Sequence, residues 1–444
     1  MRVVIENTVC LNTGDAAILL AIRSILHKIY GPHTRIDVFD SQPETASKLY
    51  EKEIYPDITF RKLLSESVFK KKYRNDTAKN VIKDVYNSVL FILASRFGLE
   101  YGFGKLIFTK PQREDISVYR AADLVITTGG TYLVENYNLE KRLTQFRLDC
   151  AIGKPPVFFT QSLGPFNKPV NRAELTPVLD RSPLVLLRDE RSLDHLRELG
   201  ADLSRCHVIA DSVFALADTA RIRDLLSEPG ARHSTGRVAV SVRHWNYVEG
   251  GDEGMRRYVD SIAAMVAELV TSHGKSVTFL STCQGVAEYA HDDSKTAEMI
   301  VGALDPAIAE HVSVNRGFHR PEELMEEAKA FDFVISTRMH MMIMSLCVGT
   351  PVLPIAYEFK TRELSKRIGV SDVLLDIDSV TADEAVAKLD RFVADLPEYT
   401  HVSLENVLKE HASAMSAADL LRVAVPGSGK APGNIPECAS QGAA

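Results

Sequence analysis

The 444-residue chain is expected to be an α/β protein built as two doubly wound, Rossmann-like halves. Three observations carry that expectation. First, short runs of β-favouring residues alternate with stretches of helical periodicity, the pattern of parallel strands joined by crossover helices. Second, the pattern breaks at Ser227 to Gly236, a stretch rich in turn formers, and restarts at Arg237. Third, the halves echo each other. Ala122-Asp123-Leu124-Val125-Ile126-Thr127-Thr128-Gly129 matches Ala330-Phe331-Asp332-Phe333-Val334-Ile335-Ser336-Thr337-Arg338 in residue type, give or take one position. A helix and then a proline-led strand follow each, at Pro156 and Pro351. The expected divisions are a first domain over 1–226, a linker over 227–236 and a second domain over 237–400. A helix over 401–425 and a disordered Gly/Pro/Ser/Ala-rich tail over 426–444 complete the chain.

In order, Val3 to Glu6 opens as a strand, and Asn12-Thr13-Gly14-Asp15 is a turn. Ala16 to Tyr30 puts Ile18, Leu19, Ile22, Ile25, Leu26 and Ile29 on one helical face, with Asp15 placed as its N-cap. Gly14 lets the backbone pass close to a ligand or a neighbour. Arg35 to Asp40 is the next strand. Residues 41–118 are less regular, an insertion with a basic cluster at Phe69 to Arg74 and a helix over Val81 to Phe97. This region is either a helix packed on the domain beside solvated lysines, or a surface that touches an anionic membrane or a lipid-linked acceptor. Strands follow at Ala122 to Thr128, running into Gly129-Gly130, and at Pro156 to Leu163, Leu184 to Glu190 and Val208 to Asp211. Past the linker, strands are expected at Arg237 to Arg243, Ser276 to Ser281 and Val312 to Val314, with helices over Tyr258 to His273 and Pro321 to Ala330.

Composition narrows the function. A net charge of −7 gives no bulk attraction to nucleic acid. Charge is uneven, since residues 61–110 carry eleven Lys or Arg against four Asp or Glu. The six cysteines are scattered without a CxxC pair, and His244, His291, His311 and His319 lack metal-ligand spacing. Reduced cysteines, no metal and a cytoplasmic setting are therefore expected, the basic region allowing contact with the inner face of the membrane. Oligomeric state leaves no mark.

The chemistry is expected at Phe333 to His340, a strand and polar turn, followed by a helix over Met341 to Cys347. Unpaired N–H groups at a helix opening attract anions. Arg338 adds a bidentate fork for carboxylate or phosphate, and His340 can carry a proton near neutral pH. The bland alternatives are an ion pair of Arg338 with Asp332 or Glu358, and a capping or core role for His340. Gly349-Thr350-Pro351 stops the helix, and a strand runs on to Tyr357 with Lys360 just beyond.

Taken together, Asn12-x-Gly14-Asp15, Thr128-Gly129-Gly130, Gln161-Ser162-Leu163-Gly164-Pro165 and Arg188-Asp189-x-x-Ser192 form one ordered series with Asp211, Ser241-Val242-Arg243, Ser336-x-Arg338-x-His340 and Gly349-x-Pro351 through Tyr357 to Lys360. The series resembles the polysaccharide pyruvyl transferase family. That resemblance implies a GT-B-like arrangement of two domains facing a cleft. It also implies transfer of a pyruvyl group from phosphoenolpyruvate to a sugar as a ketal, without a cofactor. On it, Arg338 and Arg243 clamp the donor's anionic groups, with Lys360 and Tyr357 beside them. His340 is the general acid and Asp15 a base for the acceptor hydroxyl, unless it is only a cap. Gly129 and Gly130 give close backbone approach to the acceptor, a glycan or lipid-linked glycan. Arg188 and Asp189 are expected to be structural, and Trp245 either stacks on a sugar or belongs to the core. A nucleotide-sugar glycosyltransferase, with Glu358 or Glu363 on the ribose, and an inactive carbohydrate-binding member are the rival readings.

Overall fold

A computed structural model describes residues 1–68, 77–96, 104–228 and 234–425. The basic cluster at 69–74, part of the linker and the tail 426–444 lie outside the described residues. The first half holds β1 (Arg2–Thr8), β2 (Arg35–Asp40), β3 (Ile58–Lys62), β4 (Leu124–Thr127), β5 (Gly130–Leu133), β6 (Val157–Leu163), β7 (Val185–Leu187) and β8 (Cys206–Val208). The second holds β9 (Arg237–Ser241), β10 (Ser276–Phe279), β11 (Val312–Val314), β12 (Phe333–Ser336), β13 (Val352–Ala356) and β14 (Leu375–Asp376). Their spatial orders are β3-β2-β1-β4-β6-β7-β8, with β5 paired to β6, and β11-β10-β9-β12-β13-β14. Every pairing is parallel. In both sheets the order of strands reverses beside the first strand, and ligands of such sheets gather at that switch point.

The echo between the halves has a structural counterpart. β4 pairs with β1 in register Val3 to Leu124, and β12 pairs with β9 in register Val238 to Phe333. Matching sequences thus occupy matching central strands, buried on both faces, which is why both read as unbroken apolar runs.

Residues 41–118 prove more regular than expected. Besides the expected helix, which runs over Thr77–Arg96, they supply edge strand β3 and a helix at Lys110–Ala121. β3 escapes a sequence reading because it is only half-buried and ends in Arg61 and Lys62, as an edge permits. Of the long helix, Val81, Ile82, Val85 and Val89 face outward at 58%, 64%, 59% and 43% exposure, whereas Leu90 is buried.

The first helix begins at Thr13, not Ala16, and its cap is Asn12, whose side chain accepts from the Gly14 N–H at 2.9 Å. Asp15 is not the cap. It lies one turn in and accepts a hydrogen bond from the Asn12 amide at 3.0 Å.

The halves are knit by more than the linker. Helix Thr219–Ser227 already bonds the second half, where Arg221 Nε donates to the Val348 carbonyl at 2.9 Å. Helix Leu396–Met415 runs back across both halves, and the Ala210 N–H donates to the Ser413 hydroxyl at 3.0 Å. Helix Ala417–Ala424 ends against Thr13–Tyr30, where the Tyr30 hydroxyl meets the Val425 carbonyl. No helix among the described residues is long and apolar enough to cross a membrane. The described cysteines, Cys10, Cys150, Cys206, Cys283 and Cys347, are all free thiols.

Candidate active site

Strand ends at the two switch points enclose a cavity of about 280 Å³. Asp15, Gly129 and Gly130 reach it from the first half, and Arg243, Arg338, His340, Tyr357 and Lys360 from the second. Every site residue expected from sequence therefore lines one space.

Helix Met339–Cys347 opens at the cavity, and Arg338 in its cap position makes no side-chain cap bond. The Arg338 fork instead grips Asp293, Nε to Oδ2 at 2.9 Å and Nη2 to Oδ1 at 2.5 Å. The expected partners Asp332 and Glu358 are engaged elsewhere, with Lys275 at 2.8 Å and Lys360 at 2.6 Å. Burial alone would pull the Arg338 pKa down, but the Asp293 carboxylate prevails and holds it well above the usual value. Arg338 is a fixed positive charge whose bidentate face is already taken.

Arg243 is held differently. Its guanidinium lies over the Trp245 ring at 4.5 Å and the Tyr357 ring at 4.1 Å, and its buried Nε has no hydrogen-bond partner. Trp245 thus carries a cation against its ring and also lines the cavity, so it is not plain core. A buried, unpaired donor in a cavity wall is costly unless a ligand completes it.

His340 is neither a cap nor a core histidine. Its Nε2 is buried without a hydrogen-bond partner and stands 3.6 Å from Asp211 Oδ2. Gly14 explains the fit, because a Cβ there would come within 2.8 Å of His340 Cβ and Nδ1. The glycine expected to pass close to something passes close to the general-acid candidate itself.

Arg188, expected to be structural, also lines the cavity. It bonds Asp211 at 2.6 Å, Ser162 at 2.8 Å and Thr131 at 2.8 Å. Burial opposes the Asp211 charge, yet Arg188 and His340 hold its carboxyl well below the usual carboxylate range. Asp189 does keep to structure, capping Glu190–Leu199 through the Ser192 N–H at 2.8 Å. Lys360 crosses the cleft to Thr131 Oγ1 at 3.1 Å. Burial works against its charge, but Tyr357 and Glu358 raise its pKa above the ordinary lysine value. Asp15 has a raised pKa because burial outweighs the nearby His340, Lys360, Arg188 and Arg338 charges.

Gly129, which lines the cavity, also has a close neighbour within the chain. A Cβ there would meet the Phe159 carbonyl and Thr160 Oγ1 at 2.8 Å, so the glycine serves the approach of β6. Gln161 fixes the same turn, donating from Nε2 to the Thr128 carbonyl and to the Tyr132 hydroxyl.

Sequence reasoning missed Arg142. It lies over the Tyr132 ring at 4.7 Å with a buried, unpartnered Nε, and burial lowers its pKa. Nothing in its local sequence marks it, since its cost arises from Tyr132 and the wall around it. Glu363 is exposed and stands outside the cavity lining, so of the two ribose candidates only Glu358 reaches the site.

With five Arg or Lys and two histidines facing two carboxylates, the cavity is built for an anion. The sequence profile of polysaccharide pyruvyl transferases matches residues 12–358, the span that carries nearly all of these side chains. The chain belongs to the polysaccharide pyruvyl transferase family. As a member it is a transferase. It is similar to the amylovoran biosynthesis protein AmsJ of Erwinia amylovora, 23% identical over 389 residues that cover 87% of this chain and 90% of that protein.

Solved structures confirm the two-domain GT-B fold. HepE of Anabaena with UDP-glucose superposes with a TM-score of 0.53 at 12% identity, covering 95% of this chain and 99% of that one. UDP-GlcNAc 2-epimerase of Neisseria meningitidis gives 0.54 at 12% identity over 95% and 99%. At such identity the likeness speaks for the fold alone.

Proposed function

We propose that the chain transfers the pyruvyl group of phosphoenolpyruvate to a sugar of a polysaccharide or glycolipid precursor, forming a ketal and releasing phosphate. The observation that carries this reading is the unpaired Arg243 guanidinium, in a cationic cavity that also holds His340 and Asp15. Arg243 takes the donor carboxylate as a bidentate partner. Lys360, the Arg338 charge and the N–H groups at the opening of Met339–Cys347 receive the phosphate. His340 gives its proton to the methylene carbon as one sugar hydroxyl attacks the neighbouring carbon, and Asp15 takes that hydroxyl's proton. A second hydroxyl of the same sugar then bonds to this carbon, giving its proton to the now neutral His340, as the carbon's bond to the phosphate oxygen breaks and phosphate leaves with that electron pair, closing the ketal. Fixed cations supply the charge stabilisation, so the reaction as written calls for no metal and no cofactor.

The outward apolar face of Thr77–Arg96 supports an acceptor presented on an anionic membrane. Flotation with vesicles of phosphatidylcholine, with and without phosphatidylglycerol, tests that contact.

The deciding experiment is a thermal shift with phosphoenolpyruvate against a panel of nucleotide sugars. A ligand at 100 times its Kd stabilises by roughly 2.7 kcal/mol. Stabilisation by phosphoenolpyruvate that is lost in Arg243→Ala supports the reading. Silence with phosphoenolpyruvate and a shift from a nucleotide sugar replaces it with a glycosyltransferase.

A further inference from the structure

A second cavity, about 740 Å³, is a separate groove on the first half. One wall is helix Thr77–Arg96 and the other is helix Pro169–Leu179, with the segment from Glu135 to Arg147 as its floor. That floor is also the partition from the catalytic cavity. Tyr137 lines both spaces and is 55% exposed, Arg142 faces the catalytic side, and Leu143 and Thr144 face the groove.

The two spaces differ in charge. The lining carries three cations, Lys83, Arg147 and Lys168, against four carboxylates, Asp84, Glu135, Glu140 and Glu174; Lys83 pairs with Glu140 at 3.0 Å and Arg147 with Glu174 at 3.7 Å. Glu135 accepts from the Asn167 and Lys168 N–H groups at 2.9 Å and from the Asn171 amide at 2.7 Å. The balance is one negative charge, which disfavours a nucleotide or phosphate. What remains is amide, hydroxyl and one aromatic edge, including a buried Asn87 Oδ1 without a hydrogen-bond partner. A neutral polyol meets that demand, because its hydroxyls donate to the amide oxygen while its ring lies on Tyr137. The volume falls in the ~300–1,000 Å³ range of small-molecule sites and takes more than one sugar ring.

We infer that this groove binds the uncharged sugars adjoining the one that receives the pyruvyl group, so the enzyme selects an oligosaccharide over a free monosaccharide. The inference deepens the acceptor side of the proposed reaction and rests on it. Length selection is read without the donor, which keeps the two separable.

The test is ligand-observed NMR titration of the full chain with sugars from a bacterial exopolysaccharide stripped of its pyruvate ketals, single sugars against oligosaccharides. Oligosaccharides should bind at least about tenfold tighter, the worth of one or two hydrogen bonds. Ser88→Trp and Val170→Trp, at exposed positions on opposite walls, should each abolish that advantage and leave single-sugar affinity and the phosphoenolpyruvate thermal shift unchanged. Equal affinity for all lengths, or an advantage that survives both blocking variants, overturns the groove. A length advantage in a protein that ignores phosphoenolpyruvate keeps the groove and rejects the donor.

Discussion

The His340 imidazole stands 3.6 Å from Asp211, a carboxylate that Arg188 already holds at 2.6 Å. Three residues from three strand ends thus form a line leading into the cavity, with both ends of the Arg188–Asp211 pair at 5% side-chain exposure or less.

Breaking that line should cost both fold and chemistry. Asp211→Asn leaves Arg188 as an uncompensated buried charge, a loss of about 3–5 kcal/mol in comparable pairs. Turnover is expected to fall more than the donor KM rises, since the ring of His340 loses its orienting partner. The Asp211 pKa is depressed in the folded chain, so its stabilisation is present above the unfolded carboxylate value near ~4 and is lost as pH falls below it. Denaturant midpoints across acid pH should show that loss in the wild type and not in Asp211→Asn.

Gly14→Ala should act on His340 directly. Its new Cβ would sit 2.8 Å from the imidazole, and relief of such overpacking costs about 1–3 kcal/mol. We expect near-complete loss of turnover in a chain that still folds. A variant with wild-type turnover and an undisturbed His340 NMR resonance would contradict the close approach.

Arg243 and Arg142 are the two cavity arginines with an unpartnered buried Nε. Arg243→Ala should raise the donor Kd by one to two orders of magnitude, because a hydrogen bond to a charged group is worth about 1.5–3 kcal/mol. Trp245→Leu removes only one face of its support and should cost about 0.5–1 kcal/mol. Arg142→Ala should weaken whichever anion enters from the first half. Calorimetry that finds the donor bound equally well by Arg243→Ala would remove Arg243 from the site.

A fourth prediction concerns stability alone. Glu6 and Asp149 are both fully buried, and Tyr119 donates to Glu6 at 2.8 Å. Burial raises both pKa values, and Glu6 raises that of Asp149 further, while a hydrogen bond from Asp149 eases the ionisation of Glu6. Raised acids favour folding while protonated, so their contribution is complete below ~4 and declines as pH rises toward the folded values. Asp149→Asn should flatten the pH dependence of urea unfolding between acid and neutral pH. An unchanged slope would show that the pair does not titrate there.

The stretch that lines the candidate site was legible because its signals are local. A strand that ends in Arg338-Met339-His340 and becomes a helix announces itself within a few positions, as do Asn12 to Asp15 and Gly129-Gly130. Partners were not legible, since contact is made at long range. Asp293 reaches Arg338 across 45 positions, Asp211 meets His340 across 129, and no periodicity connects them. Arg188 at the end of a strand was a usable hint, passed over because the adjoining Asp189 and Ser192 cap a helix. Arg142 carried no hint. The groove needed the helix Thr77–Arg96 to be placed, in a region whose alternating charge and short elements hid even its edge strand.

The backbone passes between the halves more than once. It leaves the first near Ala217, where the Asp218 N–H bonds the Cys347 carbonyl, and returns with Ala417–Ala424 against Thr13–Tyr30. Direct bonds tie the halves as well: the Thr13 N–H donates to the Thr282 carbonyl at 2.9 Å, its hydroxyl to the His319 carbonyl at 2.7 Å, and the Tyr55 hydroxyl to Glu322 at 3.1 Å. Asp15 therefore stands two residues from a latch: what fastens the first helix to the second half also holds that carboxylate in the cavity it shares with His340.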